Sequence, residues 1–230
     1  MHVVNILAVA DEVVESLTFG VGIETKPDLI LGAGDLPYKY LDVLSSLCDA
    51  PCVFVPGNHD GDLRGYRSSR AGWTRAGLPT SYPGPECAVN ADGRTVTAAG
   101  VRISGLGGSI RYNSGPNQYT EAQQRLRSWL LRARGGVRAT RPHILLTHSP
   151  ARGVGDAEDR PHRGFSCFHP LVDRLRPKIM VHGHIHPYGA HPRDLIIGTD
   201  TVSMNVVGYC QFDFDTDTGD FRIVRRRYGS

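Results

Sequence analysis

Five times along this chain a short apolar run stops at a polar loop carrying an acid, an amide or a histidine. Val3 to Val9 ends at Asp11, Asp28 to Leu31 at Gly32-Ala33-Gly34-Asp35, and Cys52 to Val55 at Pro56-Gly57-Asn58-His59-Asp60. His143 to Thr147 runs into His148, and Lys178 to Val181 into Gly183-His184-Ile185-His186. Runs this short and this continuously apolar read as strands covered on both faces, the pattern of parallel sheet. Apolar residues at helical spacing in Val13 to Val21 and Tyr38 to Leu47 fill the gaps between the first three runs, which predicts β-α-β-α-β. Ligands of such sheets sit beyond the carboxyl ends of the strands, where Asp11, Asp35 and Asn58 are expected.

Elsewhere the signals vary. Gly61 to Glu86, rich in Gly, Pro, Ser and Arg and without a sustained period, predicts a long irregular excursion. An Ala91-Asp92-Gly93 turn between Val89-Asn90 and Arg94 to Ala98 predicts a hairpin, with a further strand at Val101 to Ser104. Helices are expected over Glu121 to Arg134 and Cys167 to Leu175. Leu195 to Ile197, Val202 to Val207, Gln211 to Asp215 and Phe221 to Val224, the last pair joined by an Asp217-Thr218-Gly219 turn, predict a closing antiparallel sheet. With 230 residues, 40% of them hydrophobic, and no repeat, heptad run or linker, the reading is a single domain over residues 1–230.

Several function classes are disfavoured. A net charge of +3 and a pI near 8.6 are too mild for a nucleic-acid binder, and Arg132 to Arg141 and Arg225 to Arg227 read as solvated helix ends and a tail. Cys48, Cys52, Cys87, Cys167 and Cys210 form no CxxC pair, so neither a disulfide framework nor a zinc ribbon is indicated. Nothing resembles a membrane span, and Met1 to Ala10 lacks the features of a signal peptide, so the cytoplasm is the expected compartment. Asp213, Asp215 and Asp217 mimic a calcium loop but have Thr218 where glycine is required. Gly105 to Gly108 fits neither a dinucleotide fingerprint nor a P-loop.

Taken singly, each strand-end residue has a plain explanation. An aspartate after a strand is more often a helix cap, and a lone histidine more often a core or surface residue. Together, Asp11, Asp35, Asn58, His148, His184 and His186 form a carboxylate, amide and imidazole set that suits Mn, Fe, Zn or Ni rather than calcium. Asp35 has two oxygens and can bridge two cations, which at a separation of roughly 3.5 to 4 Å clamp a phosphate and lower the pKa of a water.

Gly34-Asp35, Gly57-Asn58-His59-Asp60, His148 and Gly183-His184-Ile185-His186, in that order, resemble the calcineurin-like metallophosphoesterase superfamily. Gly105-Leu106-Gly107-Gly108-Ser109 and His148-Ser149-Pro150-Ala151-Arg152-Gly153 look like its small bacterial, single-domain members. The resemblance implies a mixed α/β fold, a four-layer αββα sandwich of two mixed sheets flanked by helices. It implies two divalent transition-metal ions, manganese foremost in vitro. Asp11 and His186 would serve one, Asn58, His148 and His184 the other, and Asp35 both. His59 would be catalytic, protonating the leaving oxygen or stabilising its charge. The expected activity is hydrolysis of a small phosphomonoester or phosphodiester, nucleotides and cyclic nucleotides included, by a metal-bridging water or hydroxide. Arg111, Tyr112 and Asn113 are candidates to face substrate, or an ordinary surface loop.

One departure stands out: the family's Asp-x-His motif reads Asp11-Glu12-Val13 here, and Val13 cannot ligate. Neighbouring side chains on an extended segment point apart, so Glu12 is not expected to fill the gap, and a weaker first site follows. The alternative reading is a catalytically impaired metal- or phosphate-binding regulatory protein.

Overall fold

The computed structural model describes residues 2–134, 141–187 and 193–228. Two six-stranded mixed sheets stack face to face. The first runs in the spatial order Phe221–Arg227, Gly208–Asp215, Val3–Ala10, Leu29–Gly32, Cys52–Phe54, Ala88–Asn90. Its last four strands are parallel, and the two C-terminal strands join antiparallel. The second runs Leu195–Ile197, Thr201–Asn205, Ile179–His182, Ile144–Thr147, Val101–Leu106, Thr95–Ala98, parallel in the centre and antiparallel at both edges.

Alternation along the strands explains the layering. In Val3–Ala10, Val4, Ile6, Ala8 and Ala10 point between the sheets, while Leu7 and Val9 point outward. Helix α1 (Tyr38–Cys48) covers that outer face with Tyr40, Leu41, Leu44 and Cys48. On the far side α2 (Glu121–Arg134) and α3 (Phe168–Leu175) contribute Leu131, Phe168, Leu171 and Val172 against Leu106, Leu145 and Met180. The expected helix–sheet–sheet–helix order is therefore what forms. Helix α2 starts sharply because Thr120 Oγ1 accepts the Gln123 N–H and Gln123 Oε1 accepts the Thr120 N–H, a reciprocal cap.

Five expectations need correction. Val13 to Val21 forms only a 3-10 turn, Glu15–Phe19, because too few of its apolar residues find a buried face: Val14 and Leu17 are buried, whereas Val13, Phe19 and Val21 are exposed. The excursion after Gly61 contains a small antiparallel sheet, Tyr66–Ser69, Gly72–Arg75 and Leu78–Thr80, braced by stacking of Trp73 on Tyr82 at 4.2 Å. The strands flanking Asp92-Gly93 do not pair with each other. Ala88–Asn90 closes the first sheet and Thr95–Ala98 enters the second, where it forms a hairpin with Val101–Leu106. Ala99 and Gly100, at φ 48 and 78, supply the two left-handed residues that a tight two-residue hairpin requires. The C-terminal strands likewise divide between the sheets rather than forming one of their own.

Arg225 to Arg227 are no tail but the end of the edge strand Phe221–Arg227. Arg226 pairs with Asp194 at 2.9 Å and Arg225 with Glu24. Of the other basic stretch, residues 135–140 lie outside the described residues, as does Met1. All five cysteines are free, Cys87 alone among them exposed. Among the described residues no helix is long and apolar enough to cross a membrane.

Candidate functional site

The carboxyl ends of both sheets' parallel strands meet at one rim. Asp11 follows Val3–Ala10, Asp35 lies three residues past Leu29–Gly32 and Asn58 four past Cys52–Phe54. From the other sheet, His148 follows Ile144–Thr147 directly, and His184 and His186 follow Ile179–His182. One donor atom from each of Asp11, Asp35, His148 and His184 falls within 4.8 Å of all the others. Asn58 joins them, its Oδ1 lying 3.0 Å from His148 Nε2, and His186 Nε2 stands 4.0 Å from Asp11 Oδ1. His59 stays at the rim, exposed, with its backbone N–H donating to Asp35 Oδ1 at 2.8 Å.

Two features let the backbone come this close. Asp11, Asp35 and His184 adopt φ of 60, 55 and 70, left-handed values that side chains rarely take and that cost roughly 1–3 kcal/mol each. A β-carbon on Gly183 would fall on the Asp11 carboxylate, and one on Gly57 would lie on the Asp35 carboxylate, 2.6 Å from its backbone nitrogen. Asp60 ties the loop together, Oδ2 accepting the N–H groups of Gly57 at 2.7 Å and Asp35 at 3.0 Å. Asn117 closes it from the other side, its Nδ2 donating to the carbonyls of Gly57 at 2.9 Å and Asp60 at 3.0 Å.

Electrostatics follow from burial and charge. Burial pushes the Asp11 carboxyl up to about 6, although His148 and the His184 N–H pull the other way. Burial opposes charge on Asp35 too, but the charge and hydrogen bond of His148 and the His59 N–H outweigh it, holding Asp35 down at about 2. His148, wholly buried, is nonetheless lifted to about 9, since the 3.2 Å contact with Asp35 and the charge of Asp11 overcome desolvation. His184 drops to about 3 through burial and the neighbouring His148. The result is a buried donor set, rich in carboxylate and imidazole, with three residues of strained backbone around it. That is the chemistry of a divalent-metal site, and the residues present fit such an ion.

The backbone beside Glu12 departs from expectation. The segment after Ala10 is not extended: at Asp11 the chain folds back, with the Glu12 N–H on the Ala10 carbonyl at 2.6 Å. Both neighbouring side chains can therefore reach the same side, and Glu12 Oε1 sits 3.0 Å from His186 Nδ1. Val13 is 38% exposed and gives the cluster nothing. Of the loop Arg111 to Asn113, Tyr112 reaches the site, its hydroxyl accepting from Asn58 Nδ2 at 3.2 Å. Asp60 stood within the Gly-Asn-His-Asp string and could have been read as a loop brace. Asn117 carried no sequence signal at all.

A family model described as calcineurin-like phosphoesterase matches residues 4–188. A solved structure 15% identical aligns with a TM-score of 0.65, covering 98% of this chain and 100% of its own. A Thermus thermophilus protein, TT1561, aligns at 17% identity and a TM-score of 0.61 with 98% and 100% coverage. These two likenesses establish the fold alone. No curated protein matches by sequence.

Proposed function

The chain belongs to the calcineurin-like phosphoesterase family, a metal-dependent one, and from that premise we propose that it hydrolyses a small phosphomonoester or phosphodiester in the cytoplasm, as a single catalytic domain. The observation that carries the reading is the convergence of Asp11, Asp35, His148 and His184 donors within 4.8 Å, drawn from both sheets. Asp11 and His186 would hold one ion, Asn58, His148 and His184 the other, and Asp35 both. Such a pair, when bound, draws charge from a phosphoryl oxygen and acidifies a water.

The protein's own groups do the rest. His184 donates Nε2–H to the Pro161 carbonyl at 2.8 Å, which leaves Nδ1 as its lone-pair nitrogen. His148 gives Nδ1–H to the Ala33 carbonyl at 2.8 Å, which turns Nε2 toward Asp35 and Asn58. His59, anchored through its backbone on Asp35 yet exposed, would meet the leaving oxygen and carry a proton to it. The direct test is hydrolysis of chromogenic phosphomonoesters and phosphodiesters with added manganese. Inactivity on both across several metals refutes the proposal. A loading of about one ion per chain, with no turnover, would instead favour the regulatory reading.

His59→Ala should lower kcat about 100-fold while leaving the metal content unchanged, as expected of a proton donor that is not a ligand. Equal loss of metal would show that His59 acts structurally. Loading should also expel protons. His148, raised from 6.5 to about 9, holds its proton in the metal-free chain at neutral pH, and a cation must displace it. At pH about 7.5 we expect His148 to contribute close to one released proton per chain, with Asp11 adding a share near pH 6, and the His148 contribution to vanish once the pH passes well above 9. Affinity therefore rises with pH up to that point. Calorimetry in two buffers of different ionisation enthalpy measures the release; identical heats would contradict it.

A further inference from the structure

Each site histidine has one ring nitrogen engaged from outside the cluster. For His148 and His184 the acceptors are backbone carbonyls, Ala33 and Pro161, both at 2.8 Å. For His186 the acceptor is a side chain, Glu12 Oε1, at 3.0 Å from Nδ1. We propose that Glu12 is a positioning residue for the first ion, holding His186 as its Nδ1–H tautomer with Nε2 turned to Asp11, and so offsetting the ligand lost at Val13. The inference rests on the two-ion reading above and adds to it a residue outside the ligand set.

The geometry favours orientation over direct ligation. Nε2 of His186 lies 4.0 Å from Asp11 Oδ1, within the upper limit that two metal–ligand bonds of about 2.0–2.2 Å can span, so one ion can reach both. Glu12 Oε1 is on Nδ1, away from the ring nitrogen that faces Asp11. A carboxylate behind a ligating imidazole fixes its tautomer and raises its basicity, and its removal typically costs about 10–100-fold in metal affinity. The surroundings hold the arrangement in place. The fold-back at Asp11 aims Glu12, and Asn205 Nδ2 pins the Ile185 carbonyl at 2.7 Å, between the two histidines. Glu12 Oε2 is buried with no hydrogen-bond partner among the described residues, a costly state that a merely solvating surface glutamate would avoid by turning outward.

The test uses the full chain, labelled with nitrogen-15 at histidine, and zinc as a diamagnetic probe. His186 is assigned by comparison with His186→Ala. Two-bond nitrogen–proton correlations should show His186 as the Nδ1–H tautomer in wild type, metal-free and loaded, and a mixture in metal-free Glu12→Ala. In zinc titrations Glu12→Ala should bind the weaker ion at least 10-fold less tightly, with the tighter ion unaffected. Glu12→Gln, whose amide oxygen still accepts from Nδ1–H, should keep the tautomer and most of the affinity. The proposal is overturned if Glu12→Ala changes neither tautomer nor affinity, if Gln loses as much as Ala, or if Glu12→Ala loses both ions together. A wild type that binds no ion at all sinks the two-ion reading itself. A wild type with two ions, both kept at full affinity by Glu12→Ala, sinks only the role of Glu12.

Discussion

Asp35→Ala is expected to abolish turnover, by about 1,000-fold or more, and to strip the protein of both ions rather than one. Asp35 lies at the centre of the site: Oδ2 is 3.2 Å from His148 Nε2, and Oδ1 accepts the His59 N–H at 2.8 Å. A carboxylate kept ionised down to about 2 is a standing negative charge at the point where the two proposed ion positions meet. Removing it withdraws several kcal/mol of charge stabilisation, and each 1.4 kcal/mol is worth about a factor of 10 in rate. His148 should then lose the partner that lifts it to about 9 and titrate nearer its ordinary range. Elemental analysis together with steady-state kinetics checks the claim. An Asp35→Ala variant that keeps two ions, or keeps wild-type kcat, would refute the assignment.

Gly57→Ala should come close to that loss without touching a single donor atom. The added methyl group would land on the Asp35 carboxylate and 2.6 Å from the Asp35 backbone nitrogen, and backbone cannot yield as a flexible side chain can. Its neighbours offer no slack, because the Gly57 N–H is held by Asp60 at 2.7 Å and its carbonyl by Asn117 at 2.9 Å. The strand-end loops must separate, displacing Asn58 and His59 from Asp35. A shift of about 1 Å in such a constellation costs on the order of 100-fold in rate, and lost ion binding adds to that. The expected outcome is a folded chain by circular dichroism, with low metal content and little activity. Wild-type metal content would show that the loop has room the packing does not reveal.

Much of this arrangement was legible in the residues, and for a physical reason. Strands buried on both faces write themselves as unbroken apolar runs, so the five strand ends, and the polar residues they deliver, stand out from any background. Helix α2 was equally plain because Thr120 and Gln123 punctuate its start. Pairing between distant segments left no such mark. Ala88–Asn90 and Thr95–Ala98 look like two halves of a hairpin, yet the Asp92-Gly93 turn carries the chain from one sheet to the other. Val13 to Val21 has helical spacing, but tertiary packing buries only Val14 and Leu17 of its apolar residues fully. Glu12 remains outside the ligand set, but its approach to His186 was illegible, because a left-handed residue at Asp11 has no signature in side-chain type.

That the donors come from two sheets has a mechanical meaning. Asp11, Asp35 and Asn58 belong to one slab of the sandwich, and His148, His184 and His186 to the other; in the bare chain the slabs are already stitched at this rim by His184 N–H to Asp11 at 2.9 Å and His148 to the Ala33 carbonyl. A cation seated there would act as a rivet through the seam. Chelation would then loosen the joint between the halves rather than one loop, and amide exchange should quicken together at Leu29–Gly32 and Ile144–Thr147, strands that share no hydrogen-bonded edge.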